Sequence, residues 1–256
     1  MPARAACGLL CALLAGAAAA LPPASVQPSG DEVPANLLRI SVVFEAPVHE
    51  PVLPRLRLRR DDGRLVERPF LEQELWSPSG RILTVLLHPG RVKSGLAAHD
   101  AAGPVLEPGE RVGIELDGRV LRRWTVGADD RDGPAPADWR LRAPPAGTRA
   151  ALVVELDAPI DGRDADYLAV ADAAGRRVAG ASVLSCGERR WSFVPGAPWP
   201  AGAYRLAVFA HLEDPSGNRL GGRFEREPGA PPPEDRDAAL PFVVAPGAGA
   251  DVPACP

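Results

Sequence analysis

Residues 111–126 read RVGIELDGRVLRRWTV. Val112, Ile114 and Leu116 alternate with polar or small neighbours, the period-two pattern of a strand with one buried face. Asp117-Gly118 follows, a pair that accepts the positive φ of a two-residue hairpin, and Val120 to Val126 supplies the returning strand. The same pattern spreads outward. Leu38, Ile40, Val42 and Phe44 alternate in LLRISVVFE, Leu56 and Leu58 alternate with arginines before an Asp62-Gly63 turn, and Arg81 to His88 (RILTVLLH) is a strongly apolar strand. Six or seven short strands with turn signals between them and no helical period predict a β-sandwich over 36–127.

Residues 127–137 (GADDRDGPAPA) interrupt with charge, glycine and proline, and 128–137 is read as a linker. Strand signals resume at Trp139, Ala151 to Leu156, Tyr167 to Val170, Val178 to Leu184, Arg190 to Val194, Tyr204 to Ala210, Phe224 and Leu240 to Val244, giving a second sandwich over 138–245. The halves repeat one another. FEAPV (44–48) matches LDAPI (156–160), with Pro47 and Pro159 112 positions apart (159 less 47), and Gly63-Arg64 matches Gly175-Arg176 at that offset. The strands ending at Pro89 and Pro195 match, as do Leu106 to Leu116 and Pro198 to Val208. A segment at 91–105 (RVKSGLAAHDAAGPV) has no counterpart in the second copy and is read as a tolerated decoration or a short helix covering one end of the sandwich, the alternative being a functional loop that carries Lys93 and His99. Two tandem immunoglobulin-like sandwiches are the expected fold.

The second copy carries a more specific string. Pro200-Ala201-Gly202-Ala203-Tyr204-Arg205-Leu206 leads into Leu212-Glu213-Asp214-Pro215-Ser216-Gly217-Asn218-Arg219-Leu220. This arrangement resembles the bacterial Ig-like domain of S-layer and other cell-surface proteins, over residues 138–226. It is also similar to exported bacterial proteins with paired domains of this type. The resemblance implies a turn motif of Asp214, Gly217 and Asn218 joining the last two strands. It further implies a cell-envelope location, and it implies no reaction. Locally the chemistry fits a turn: Asp214 can accept turn N–H groups, and Gly217 and Asn218 tolerate positive φ. The first copy lacks the Gly-Asn turn.

The formal net charge of −4 argues against a nucleic-acid partner, and 30 prolines with 26 glycines argue against long helices. Residues 1–20 read as a signal peptide: Arg4 in the n-region, Cys7 to Ala17 as a short apolar run, and Ala18-Ala19-Ala20 as the small-residue cleavage site. The alternative is an uncleaved anchor. Residues 21–35 (LPPASVQPSGDEVPA) are proline-rich without periodicity and read as a flexible linker, and 246–256 as a disordered tail. Removal of the signal leaves Cys186 and Cys255. They either pair in an oxidising compartment or remain a buried thiol and a free one. No later segment is apolar enough to cross a bilayer.

Catalytic chemistry is hard to find. His49, His88, His99 and His211 lie in no metal-binding or base-nucleophile spacing, and Ser182 in GASVL lacks the second glycine of a nucleophile elbow. Asp129, Asp130 and Asp132 are candidate calcium ligands at the junction, with Asp161, Asp164 and Asp166 as a second acidic group; neither follows EF-hand spacing. Trp191 and Phe193 belong to the core, and Trp76 is the tryptophan read as partly exposed. The expectation is an exported, periplasmic, cell-surface or secreted protein without a cofactor or enzymatic activity. Its role would be structural, adhesive or interactive, and its partner a protein or another envelope component. The alternative is a ligand-binding module for glycan or calcium.

Overall fold

The computed structural model describes residues 21–92, 101–224, 236–247 and 254–255. The signal-peptide reading of 1–20 and the candidate residues Lys93 and His99 lie outside them. The described chain forms two β-sandwiches in series. In the first, β1 (Ala24–Gln27), β3 (Arg39–Phe44), β6 (Ile82–Leu86) and β5 (Leu75–Trp76) make one sheet in the order β1-β3-β6-β5. The facing sheet runs β2-β8-β7-β4, from β2 (Glu32–Pro34), β8 (Arg119–Gly127), β7 (Arg111–Leu116) and β4 (Leu56–Arg60). The β7–β8 hairpin turns at Asp117 (φ 52°) and Gly118 (φ 77°), the positive-φ pair that the sequence offers there.

The second sandwich has β12 (Gly180–Ser185), β13 (Arg190–Pro195), β10 (Leu152–Glu155) and β9 (Arg140–Arg142) in one sheet. Its other sheet is β11 (Leu168–Asp172), β14 (Gly202–Val208) and β15 (Ala238–Val244). This four-plus-three arrangement is that of a constant-type immunoglobulin domain. Strands matched by the sequence repeat occupy equivalent places: β3 and β10, β4 and β11, β6 and β13, β7 and β14.

Each sandwich encloses its own core. Leu37, Ile40, Val42, Leu58, Leu83, Val85, Ile114 and Trp124 fill the first. The second is aromatic. Trp191 and Phe193 stack with centroids 5.8 Å apart, and Trp199 meets Tyr204 edge-on at 5.3 Å. The Tyr204 hydroxyl donates to the Pro200 carbonyl at 3.0 Å, a tyrosine corner that pins the entry to β14.

Two sequence expectations change. Residues 21–35 are not a free spacer. β1 pairs antiparallel with β3 (Val26 opposite Val42), β2 pairs parallel with β8 (Val33 opposite Val126), and Val26 and Val33 are buried. Both are edge strands, where prolines such as Pro28 and Pro34 remove no ladder bond from a strand interior; composition therefore hid them. Residues 128–137 contain no strand, yet they are packed rather than loose. A Cβ on Gly133 would lie 2.1 Å from the Arg219 carbonyl oxygen. Phe224 is not in a closing strand; it belongs to the connection between β14 and β15. The 91–105 segment opens with a short helix, α1 (Pro89–Val92), and Arg91 donates to the carbonyls of Glu67, Gly103 and Pro104.

Candidate functional site

The polar side chains buried most deeply converge where the sandwiches meet. Arg39 begins β3, whose Ile40, Val42 and Phe44 turn into the first core. By strand alternation Arg39 faces the other way, toward the second sandwich. Its Nη2 pairs with Glu213, and its Nε lies 3.1 Å from Asp161 Oδ2 without the alignment of a hydrogen bond. Asp161 also accepts from Arg163 N and Nε (2.9 and 3.0 Å), and Glu213 accepts from Arg219 Nε (2.8 Å). Asp164 accepts the Glu213 amide at 2.9 Å. Burial, reinforced by the Asp161 carboxylate, pushes Asp164 up to about 7.

Beside this lies the turn motif. The Gly217 and Asp214 amides close the turn onto Asp214 and Asn218 carbonyls, and Asp214 Oδ1 and Oδ2 accept Asn218 N and Nδ2 at 2.9 and 2.8 Å. Gly217 has φ +82°, the conformation that favours glycine, and a Cβ there would stand 2.8 Å from Leu38 Cδ2 of the first sandwich and push that side chain aside. Asn218 is not in the positive-φ region that the turn reading allowed it. It is instead a buried connector, with Nδ2 3.1 Å from the Asp130 carbonyl. Asn36 exchanges bonds with the Asp130 main chain (2.7 and 2.8 Å) and accepts from Ser216 Oγ (3.1 Å), while Leu38 N donates to the Pro215 carbonyl (3.0 Å). Asp214 is 1% exposed, and burial pushes it up to about 7.

A third contact joins the β12–β13 turn to the link between β1 and β2. Cys186, Gly187 and Glu188 all have positive φ (56°, 64° and 60°), and Glu188 Oε2 accepts the Ser29 amide at 2.8 Å. Burial pushes the Glu188 carboxyl up. A Cβ on Gly187 would lie 2.9 Å from Gly30 Cα. Cys186 and Cys255 are joined by a disulfide, which carries residues 254–255 to this end of the second sandwich. A crevice of 460 Å³ lies there, bordered by Gly30, Arg122, Gly187, Arg189 and Cys255.

The other candidates stay apart. Among the described residues no three His, Cys, Asp or Glu side chains are grouped to hold a metal ion. Asp129 pairs with Arg131, Asp130 accepts the Asp132 amide, and Asp132 lies 3.6 Å from Arg223. Asp161 and Asp164 face arginines and amides. No described histidine hydrogen-bonds a hydroxyl or thiol. Four tryptophans are buried, and Trp76 stacks at 5.9 Å on Phe44. Among the described residues no helix is long and apolar enough to cross a membrane.

No family model matches the chain, and no curated protein matches it. Among solved structures it is similar to the BSP domain of a biofilm-associated protein (TM-score 0.27, 9% identity), covering 90% of this chain and 30% of that one. It is also similar to titin domains Z1Z2 in complex with telethonin (TM-score 0.27, 10% identity, 90% and 95% covered). Domains 5–6 of the S-layer protein SbsC match with TM-score 0.26 and 10% identity, over 89% and 98% of the two chains. Superpositions this loose carry no argument about function; the sandwich assignment rests on the strand pairing.

Proposed function

We propose that this is an exported, non-catalytic protein with a structural or adhesive role in the cell envelope, and that its two sandwiches act as one stiff element. The observation that carries the reading is the junction. Arg39, 11% exposed, is held between Asp161 and Glu213 of the second sandwich, and the Asp214–Asn218 turn is buried against Asn36 and Leu38 of the first. A flexible tether would need none of these groups buried. Charges taken out of water are costly unless paired and hydrogen-bonded, so the partners enforce one arrangement. A strut or adhesin that transmits load needs such a fixed joint; an enzyme needs converging reactive groups. Cys186–Cys255 belongs with an oxidising compartment.

Small-angle X-ray scattering of the mature chain tests the joint. The wild-type profile should fit this single arrangement of sandwiches, and Arg39→Ala should broaden the distance distribution while each sandwich keeps its fold by circular dichroism. A wild-type profile that demands an ensemble of widely separated domains would sink the stiff-element reading. Retention of the tagged mature protein by the envelope fraction, against a denatured control, tests the location and role.

A further inference from the structure

The outer face of the β11-β14-β15 sheet is apolar where a solvated face would be polar. Tyr204, Leu206 and Val208 of β14 point into the second core, so alternation turns Ala203, Arg205, Ala207 and the following Phe209 outward. Register sets these in rows with β11 and β15: Ala203 beside Val243, Arg205 between Ala171 and Pro241, and Ala207 between Ala169 and Ala239. Phe209 N donates to the Tyr167 carbonyl and Asp237 accepts the Ala210 amide, both at 2.9 Å, which brings Tyr167 and Asp237 to the Phe209 end. Tyr167, Phe209 and Val243 are three of the seven large apolar side chains exposed among the described residues, so the exposed apolar surface is concentrated here. An antiparallel bridge sets Arg177 beside Ala171, toward the other end. Arg177 and Arg205 are exposed and form no ion pair among the described residues. At the rims, Asp166 is exposed, His211 packs on Tyr167 at 6.4 Å, and Arg176 is paired with Asp172.

We infer that two copies of the chain pack through this face, about a two-fold axis running along the Ala169-Ala207-Ala239 row. Arg205 and Phe209 stand two residues to either side of Ala207, each about 7 Å from it. Rotation about that row lays β14 antiparallel over its copy and sets Arg205 on the partner's Phe209, within reach of the partner's Asp237. The same rotation sets Arg177 and Ala171 over the partner's Tyr167. Guanidinium groups stack on aromatic faces and pair with carboxylates, and the shared axis makes each contact twice. Alanines along the axis let the two sheets approach face to face. Rotation about the strand direction would instead set Arg205 on Arg205, so charge selects one orientation. An unrelated partner would have to supply this succession of cationic, small apolar and aromatic rows; the face itself supplies it. Three strands about 4.8 Å apart, with residues spaced about 3.4 Å along them, give a face of roughly 350 Å² per copy. Both copies together bury well under the roughly 1,200 Å² of a stable interface, so the pairing is weak and acts where many copies are held close together.

The inference goes beyond the structural or adhesive reading, and purified protein tests it separately. In sedimentation equilibrium the full mature chain should be monomeric at about 5 µM and shift toward dimer at about 500 µM. Ala207→Glu, which sets two carboxylates together on the axis, should weaken association at least about tenfold. The control Val183→Glu, at an exposed position on the other sheet, should change it less than about threefold. Arg205→Glu and Asp237→Arg should each associate poorly alone and pair with one another when mixed, because each then meets the opposite charge. Circular dichroism checks that every variant keeps its fold. Wild-type protein that stays monomeric at about 500 µM overturns the inference. So does a dimer that survives Ala207→Glu or is lost in Val183→Glu, and so do mixed charge variants that stay apart. Binding to anionic phosphatidylglycerol vesicles by a chain that remains monomeric would give the face to lipid and overturn it as well. A monomer that the envelope fraction retains overturns this inference alone; a dimer that it does not retain overturns the adhesive reading alone.

Discussion

Asp214 and Asp164 make the stability of the second sandwich fall with rising pH, and Asp214→Asn isolates the effect. Both carboxyls have an ordinary value of 3.8 and are pushed up to about 7 in the folded chain, chiefly by burial. A raised folded value means that the native state holds a proton that the unfolded chain has released. Stability from that proton is complete below about pH 4, declines by about 1.4 kcal/mol per pH unit between 4 and 7, and is gone above 7. From pH 5 to 8 each carboxyl therefore contributes a loss of about 2.5 kcal/mol. Asn cannot ionise, so the difference in unfolding free energy between Asp214→Asn and wild type should rise by about that amount over the same interval. The absolute offset is less informative. Asp214 Oδ1 and Oδ2 both accept from Asn218, and an amide nitrogen in place of one oxygen would oppose the Asn218 donor at every pH. Urea titrations at pH 5, 6, 7 and 8, followed by tryptophan fluorescence, read the slope separately from the offset. A difference that stays constant within about 0.5 kcal/mol across that range would refute the claim that Asp214 is folded in as a neutral acid.

Removing the tyrosine corner by Tyr204→Phe should cost about 1 kcal/mol, because the Pro200 carbonyl loses its 3.0 Å donor while the ring packing against Phe242 persists; an unchanged urea midpoint would show the hydroxyl to be idle. Cys255→Ser opens a closure spanning 69 residues and should lower stability by roughly 2–4 kcal/mol under non-reducing conditions. Reductant should bring wild-type protein to the variant's level and leave the variant where it was, and a persistent gap between them would assign the loss to something other than the bridge.

Much of the fold was legible because the information it needs is local. Alternation at Val112, Ile114 and Leu116 and the Asp117-Gly118 pair specify a hairpin without reference to the rest of the chain. The 112-residue offset worked because it links strands that occupy equivalent positions, as β4 and β11 do. The edge strands were illegible for a complementary reason. β1 and β2 are 4 and 3 residues long, are flanked by prolines, and become strands only because Val42 and Val126 offer ladders to pair with. The turn chemistry of Asp214 to Asn218 was legible too, but its burial was not. An aspartate that accepts its own turn amides has the same local bonds whether the turn faces water or another domain.

The junction required pairings between residues 94 apart for Asn36 and Asp130, 174 for Arg39 and Glu213, and 180 for Asn36 and Ser216, and no local pattern reports those. A usable signal nevertheless existed in the comparison of the two copies. The first copy joins its equivalent strands, β7 and β8, by two residues, whereas the second leaves β14 at Val208 and returns at Ala238. The 91–105 segment is the departure from the repeat in the first copy, and the longer β14–β15 connection is the departure in the second. It supplies Glu213, Asp214, Pro215, Ser216, Asn218 and Arg219, which make the contacts to Arg39, Asn36 and Leu38 or support the residues that do. Two copies of one sandwich have no built-in reason to adhere to each other. What distinguishes the second copy from the first is therefore one place to look for what holds them together, and here the added connection brings Glu213 to Arg39 and the Asp214–Asn218 turn to Asn36 and Leu38, beside the contacts of Asp161 and Glu188.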